Sequence, residues 1–281
     1  MKVFPFKIPK TQNIGLIYQE DKEEVFYDKL HQHEEIQICA IIKGEGTLIV
    51  ADTVSDYKTG DILVIGSNLP HVFKSDTTAI KESFMISLFF TKKSFGKSFF
   101  ELDDFKELQN FFSKSISGLR IMNNQTKIIN QFLLLQHQNN LERFINFFKI
   151  LNIINKSKSS SLSNFIYPRK YTDNEGKRMR NIMDYTIHNF DKNIDLDTIA
   201  NEANMTPNAF CRYFKQRTNK TYFTFLNELR IENACKLLGN NNELTISEIA
   251  YQSGFKNLSN FNRKFKDYKK VAPRDYRKVI A

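Results

Sequence analysis

One internal repeat constrains this 281-residue chain more than any other feature. The segment "TIANEANMTPNAFCRYFKQRTNKTYFTF" lies fifty residues before "EIAYQSGFKNLSNFNRKFKDYKKVAPRDY". Ile199 and Ala200 align with Ile249 and Ala250, and with one inserted residue Phe210, Arg212, Phe214 and Lys215 align with Phe261, Arg263, Phe265 and Lys266. Two such copies predict two helix–turn–helix units. Gly254 suits the left-handed turn between the helices of the second unit, and Asn204 holds the same place in the first. Thr206-Pro207 predicts a capped helix start. Thr245 and Glu248 have the spacing of a capping box. Between the copies, "TYFTFLNELRIENACKLL" reads as one amphipathic helix that would set their spacing.

Each second helix divides into two faces. Phe210 and Phe214, like Phe261 and Phe265, are four apart and share a stripe suited to burial. The other stripe is polar and basic: Asn208, Cys211, Arg212 and Lys215 in the first unit, and Leu258, Ser259, Asn262, Arg263 and Lys266 in the second. The bland alternative is a solvated surface, but the matched Arg and Lys positions in both copies favour a shared ligand. The net charge is +10, and residues 168–281 hold 21 Lys and Arg against 13 Asp and Glu. A helix with such a face fits a DNA major groove, where Arg reads guanine, Asn reads adenine and an apolar atom meets the thymine methyl. Lys215, Arg217, Lys256, Lys264 and Lys266, with Lys269 and Lys270, are expected at phosphates.

The motifs "IAYQSGF" (249–255), "NFNRKFK" (260–266) and "PRDYR" (273–277) resemble the AraC/XylS family of bacterial transcription regulators over about the last 105 residues. The resemblance implies two helix–turn–helix units whose recognition helices enter successive major-groove segments roughly 34 Å apart. It places base contacts at Asn208, Cys211 and Arg212, and at Leu258, Ser259, Asn262 and Arg263. Cys211 departs from the bulky or amide residue common there, so the first unit is expected to lean on Arg212.

The first ~90 residues alternate short β-branched runs with turn signals such as "KGEG" and "KTGD", a pattern of short strands in a sandwich or barrel. Residues 20–90 resemble the cupin β-barrel that serves as a sensor domain in many such regulators. Metal-binding cupins carry His-x-His, a later Glu and a further His. Here His31, His33 and His71 match, and Gln37 replaces the carboxylate, which weakens the case for iron or manganese. Three readings stay open for these four residues: a packed set, hydrogen-bond partners for a small molecule, or a metal site. The expected fold is two-domain α+β: a cupin-like β-barrel over 1–98, helices completing that domain over 99–154, a linker over 155–176, and an all-α double helix–turn–helix domain over 177–281. Leu141, Phe144, Phe148 and Leu151 form a helical stripe, either packed on the barrel or forming a dimer seam.

Three dispersed cysteines without CxxC argue against a disulfide framework or zinc ribbon. "MKVFPFKIPKTQ" lacks the apolar core of a signal peptide, and no apolar run reaches the ~20 residues of a membrane span. The expected compartment is the cytoplasm. The expected partners are double-stranded promoter DNA, a small-molecule effector, a second copy of the chain and RNA polymerase. No membrane, cofactor or catalytic role is expected. The rivals are a metal-dependent cupin enzyme with a nucleic-acid-binding tail and a ligand-free architectural DNA binder.

Overall fold

A computed structural model describes residues 15–78, 80–166, 171–240 and 243–280. The chain divides into two compact units between Asp173 and Asn174.

The first unit holds two antiparallel sheets. One comprises β1 (Ile17–Glu23), β2 (Ile36–Lys43), β5 (Ile62–Ile65), β7 (Ser83–Phe90), β8 (Leu119–Ile121) and β9 (Ser159–Ser161), in the order β1-β7-β2-β5-β8-β9. The other comprises β3 (Gly46–Val50), β4 (Thr53–Tyr57) and β6 (His71–Ser75), in the order β4-β3-β6. The "KTGD" signal becomes a turn with Gly60 at φ +95°, before β5. Helices α1 (Gln109–Ser115), α2 (Gln125–Leu134) and α3 (Asn140–Asn155) cover the larger sheet. Asn139 and Glu142 cap α3 reciprocally.

The apolar run "IQICAIIK" of β2 follows from this layering. Ile36, Ile38 and Ala40 join the core under the helices, while Cys39 and Ile41 join the core between the sheets. A strand covered on both faces carries no polar alternation. The helix layer is filled by phenylalanine: Phe90 meets Phe147 with ring centroids 4.7 Å apart, and Phe100 meets Phe112 at 4.9 Å.

Two expectations change here. Leu151 is fully buried in the core, Phe144 packs on Phe95 at 4.9 Å, and Phe148 stacks on Phe105 at 5.6 Å. The stripe on α3 therefore packs on the protein's own aromatic layer, with Leu151 fully buried and Phe144 and Phe148 half-buried. Only Leu141 of the four is exposed, at 69%. The segment expected as a linker from 155 is shorter at its start. Ser159–Ser161 pairs with β8, and the buried Asp52 carboxylate accepts from Ser163 Oγ and from the amides of Asn164 and Phe165 at 3.0–3.1 Å. Low-complexity serines are drawn into the sheet edge because β8 offers an unpaired ladder. Residues 167–170 of that segment lie outside the described residues.

The second unit is helical: α4 (Asp173–Asn189), α5 (Leu196–Glu202), α6 (Pro207–Thr218), α7 (Tyr222–Asn240), α8 (Ile246–Gln252), α9 (Leu258–Lys269) and α10 (Pro273–Ile280). The pairs α5–α6 and α8–α9 are the two repeats, and α7 joins them. Asn204 sits at φ +51° and Gly254 at φ +84°, the left-handed turns that the repeat requires. The echo extends to the helix ends, where Asn219 closes α6 and Lys270 closes α9, both left-handed. Helix α7 is buried along several sides because both repeats rest on it. Phe225 meets Phe214 of α6, and Ile231, Ala234 and Leu238 share a core with Phe261 and Phe265 of α9. Phe261→Ala is expected to lower the stability of this unit by about 3–5 kcal/mol, the cost of a truncated core aromatic. The check is the midpoint of its guanidinium unfolding transition, and an unchanged midpoint would take Phe261 out of the core.

Candidate nucleic-acid interface and barrel pocket

Helix α6 starts at Thr206, whose hydroxyl accepts from the Ala209 amide at 3.4 Å, with Pro207 in the first turn. Helix α9 starts at Asn257, whose side chain accepts from the Asn260 amide at 2.8 Å. Each helix buries its phenylalanine pair completely. That inward anchor turns the opposite face to solvent. Asn208, Cys211, Arg212 and Lys215 are exposed on α6, as are Leu258, Ser259, Asn262, Arg263 and Lys266 on α9, with Lys256 just before it. Lys264 is half-buried. Arg263 donates to Asn260 Oδ1 at 3.0 Å, so its guanidinium is held over the first turn of α9. Sequence spacing alone does not identify Asn260 as this orienting residue, since it falls between the two stripes.

Arg217 does not face outward with the other basic residues of α6. It is 6% exposed, ion-paired with Glu175 of α4 and stacked 3.9 Å from the Tyr213 ring centroid. Its position near the end of α6 turns it toward α4, so it ties two helices together rather than meeting a phosphate. Lys269 is likewise held within the protein: its ammonium lies 2.6 Å from Glu232 of α7. Burial alone would lower its pKa, but the Glu232 carboxylate outweighs that effect and raises it, so the ammonium stays charged.

The barrel brings His31, His33, Gln37 and His71 together in one pocket of about 370 Å³, with Gln19, Asp21, Phe26, Tyr27, Phe73, Met85 and Phe89 completing its wall. The first four are buried, and the ring centroids of His31 and His71 are 4.2 Å apart. A two-way backbone bridge between His31 and His71 sets this approach. Gln19 and Asp21 alternate on β1, a period-two signal that could have placed them on one wall.

The imidazoles share one arrangement. Nδ1 of His31 contacts Lys29 O at 2.8 Å, Nδ1 of His33 contacts Glu35 O at 2.8 Å, and Nδ1 of His71 contacts Leu69 O at 2.9 Å. A carbonyl only accepts, so each Nδ1 carries the proton, and Nε2 is the acceptor of a neutral ring. His33 Nε2 then faces Gln37 Oε1 at 3.3 Å, two acceptors together, while the Gln37 amide nitrogen reaches Ser87 Oγ at 3.0 Å. Exchanging the amide oxygen and nitrogen of Gln37 resolves the conflict without moving a heavy atom. A shared cation resolves it as well. The ligand-type atoms of the three histidines lie within 4.8 Å of one another. Three neutral imidazoles and an amide fit a divalent cation of the zinc class, held by His31, His33 and His71, better than iron or manganese, which favour a carboxylate.

A profile described as a helix-turn-helix domain matches residues 199–279, and one described as a cupin domain matches residues 20–86. The first match falls on the two repeated helical units, and the second on the sheeted part of the chain. The chain thus carries an AraC-type helix-turn-helix domain and a cupin domain, and its relatives are HTH-type transcriptional regulators. The regulator is 27% identical over 266 residues to YdeC, an HTH-type transcriptional regulator of Bacillus subtilis (strain 168), covering 90% of this chain and 87% of that one. It is 24% identical over 262 residues to the HTH-type transcriptional activator RhaS of Mannheimia succiniciproducens, covering 91% and 90%. Among solved structures it is similar to the C-terminal domain of AraT, a response regulator from Geobacillus stearothermophilus, at 29% identity and a TM-score of 0.35, covering 36% of this chain and 84% of that one. The AraC-type regulator is thus a sequence-specific DNA-binding protein whose first domain is cupin-like. Among the described residues, no helix is long and apolar enough to cross a membrane.

Arg217→Ala in this regulator is expected to lower thermal stability by about 1–3 kcal/mol, between the values for exposed and buried ion pairs. The salt dependence of DNA binding should keep its wild-type slope. A shallower slope with unchanged stability would return Arg217 to the phosphate contacts.

Proposed function

We propose that α6 and α9 read bases in two successive major-groove segments, and that a small molecule in the barrel pocket biases this binding. The observation that carries the reading is the matched pair of exposed polar faces, each fixed by a buried phenylalanine pair at the same spacing. In α9, Asn262 and Arg263 supply the amide and guanidinium that recognise adenine and guanine edges, Ser259 adds a hydroxyl, and Leu258 offers an apolar contact to a thymine methyl. In α6, Asn208 and Arg212 take the corresponding roles, with Cys211 a weak donor. Lys215, Lys256, Lys264 and Lys266 contact phosphates and carry the salt dependence.

The pocket supports an effector with an apolar body and a polar head. Phe26, Phe73 and Phe89 supply aromatic walls, while the three imidazoles and Gln37 converge at one side. An effector controls DNA binding only if it binds one conformational state better than the other. A homodimer is also proposed, through the outer face of α3. Leu141 and Ile145 are four apart and exposed there at 69% and 51%.

Base readout and phosphate contact separate experimentally on DNA selected by the wild-type protein from a random library. Arg263→Ala should weaken binding to the selected site by about 1–3 kcal/mol and relax preference at one base position. Lys266→Ala should weaken all sequences alike and reduce the salt slope by about one. Uniform weakening by Arg263→Ala, with the base preference intact, would assign Arg263 to the phosphates instead.

A further inference from the structure

The two helix–turn–helix units are joined beside α7 by a clasp. Arg230, in the middle of α7, donates from Nε to Phe190 O and from Nη2 to Lys192 O, both at 2.7 Å. Those carbonyls belong to the loop between α4 and α5, which leads into the first helix–turn–helix unit. The second unit's turn meets the same loop. A Cβ on Gly254 would fall 2.6 Å from Phe190 O, 2.8 Å from Arg230 Nε and 2.9 Å from Asp191 Cα. The Arg230 guanidinium also lies 5.9 Å from the Phe255 ring centroid.

Gly254 therefore does two things. It supplies the left-handed backbone of the turn, and it lets that turn rest against the loop of the other unit. Arg230 fastens the same loop by two hydrogen bonds from separate nitrogens of one rigid plane, a geometry that a lysine ammonium lacks. Helix α9 starts four residues beyond this contact, at Leu258. A displacement of the turn is carried directly into the direction of α9.

Two recognition helices bound to one duplex must keep step with it. Each added base pair turns the second half-site by about 35° and moves it about 3.4 Å. We infer that Arg230, seated against Gly254, is a positioning residue that sets the half-site spacing this regulator accepts. It acts through the angle between α6 and α9. The inference rests on the reading of α6 and α9 as base-reading helices, and a single half-site tests that reading separately.

The experiment uses the full chain as wild type, Arg230→Met and Arg230→Lys. The probes are DNA selected by the wild-type protein from a random library, the same DNA with one base pair inserted or deleted between half-sites, and one half-site alone. Wild type should prefer the selected spacing by about tenfold or more. Arg230→Met should reduce that preference to about threefold or less, with half-site affinity and salt slope unchanged. Arg230→Lys, which keeps the charge but not the two-pronged grip, should fall between.

A folded Arg230→Met protein with the wild-type spacing preference would overturn the inference. An equal loss on every probe with a shallower salt slope would also do so, because Arg230 would then be a phosphate contact. If circular dichroism shows that Arg230→Met does not fold, Arg230→Lys decides, and full retention of the spacing preference overturns the inference. Failure of wild type to bind a single half-site above random DNA would instead count against base readout by the individual helices.

Discussion

The burial of two phenylalanine pairs against α7 is the contact on which the DNA-binding unit depends. Phe210 and Phe214 anchor α6, and Phe261 and Phe265 anchor α9. A helix has one rotational setting that buries residues four apart, and that setting decides which side chains face outward. The packing thus turns Asn208 and Arg212, and likewise Asn262 and Arg263, outward to solvent. Helix α7 serves both anchors at once, which explains why its own sequence is apolar on several sides. Lys269 and Arg217, basic residues on the same helices, are spent on Glu232 and Glu175 to hold this arrangement.

In the cupin-like unit the organising constraint is a sheet covered on both faces. Alternate residues of β2 feed two cores, one beneath the helices and one between the sheets. The inner core opens into the histidine pocket, where the backbone bridge between His31 and His71 holds two imidazoles closer than sequence distance would suggest. Each ring is oriented by its own local carbonyl, so the Nε2 atoms form a set with one chemistry. The amide at Gln37 makes that set neutral where a carboxylate would make it anionic. This difference shifts its preference toward uncharged polar groups or a borderline cation.

Much of this was legible in the sequence, because repeats and caps are local signals. The inserted residue between the copies, the left-handed turns at Asn204 and Gly254, the starts at Thr206 and Thr245 and the outward faces of α6 and α9 all follow from spacing. The grouping of His31, His33 and His71 came instead from the cupin resemblance. What escaped was set by distant partners. Arg217 looks like any basic residue beside a DNA-reading face until Glu175, 42 residues earlier, is placed against it. Phe144, Phe148 and Leu151 have the period of a seam, and period alone does not say whether the covering layer is another chain or the protein's own aromatic cluster. The serines at 159–161 resemble a linker by composition, yet β8 gives them a strand to pair with. The Arg230 clasp is equally nonlocal, since its acceptors are carbonyls forty residues upstream.

The central claim is that two equivalent helices of one chain read two segments of one duplex face. Hydroxyl-radical footprinting of the full chain on DNA selected from a random library measures this most directly. The account predicts two protected tracts on the same face, separated by about one helical turn, or roughly 10 base pairs. A single protected tract, or two tracts on opposite faces of the duplex, would contradict it.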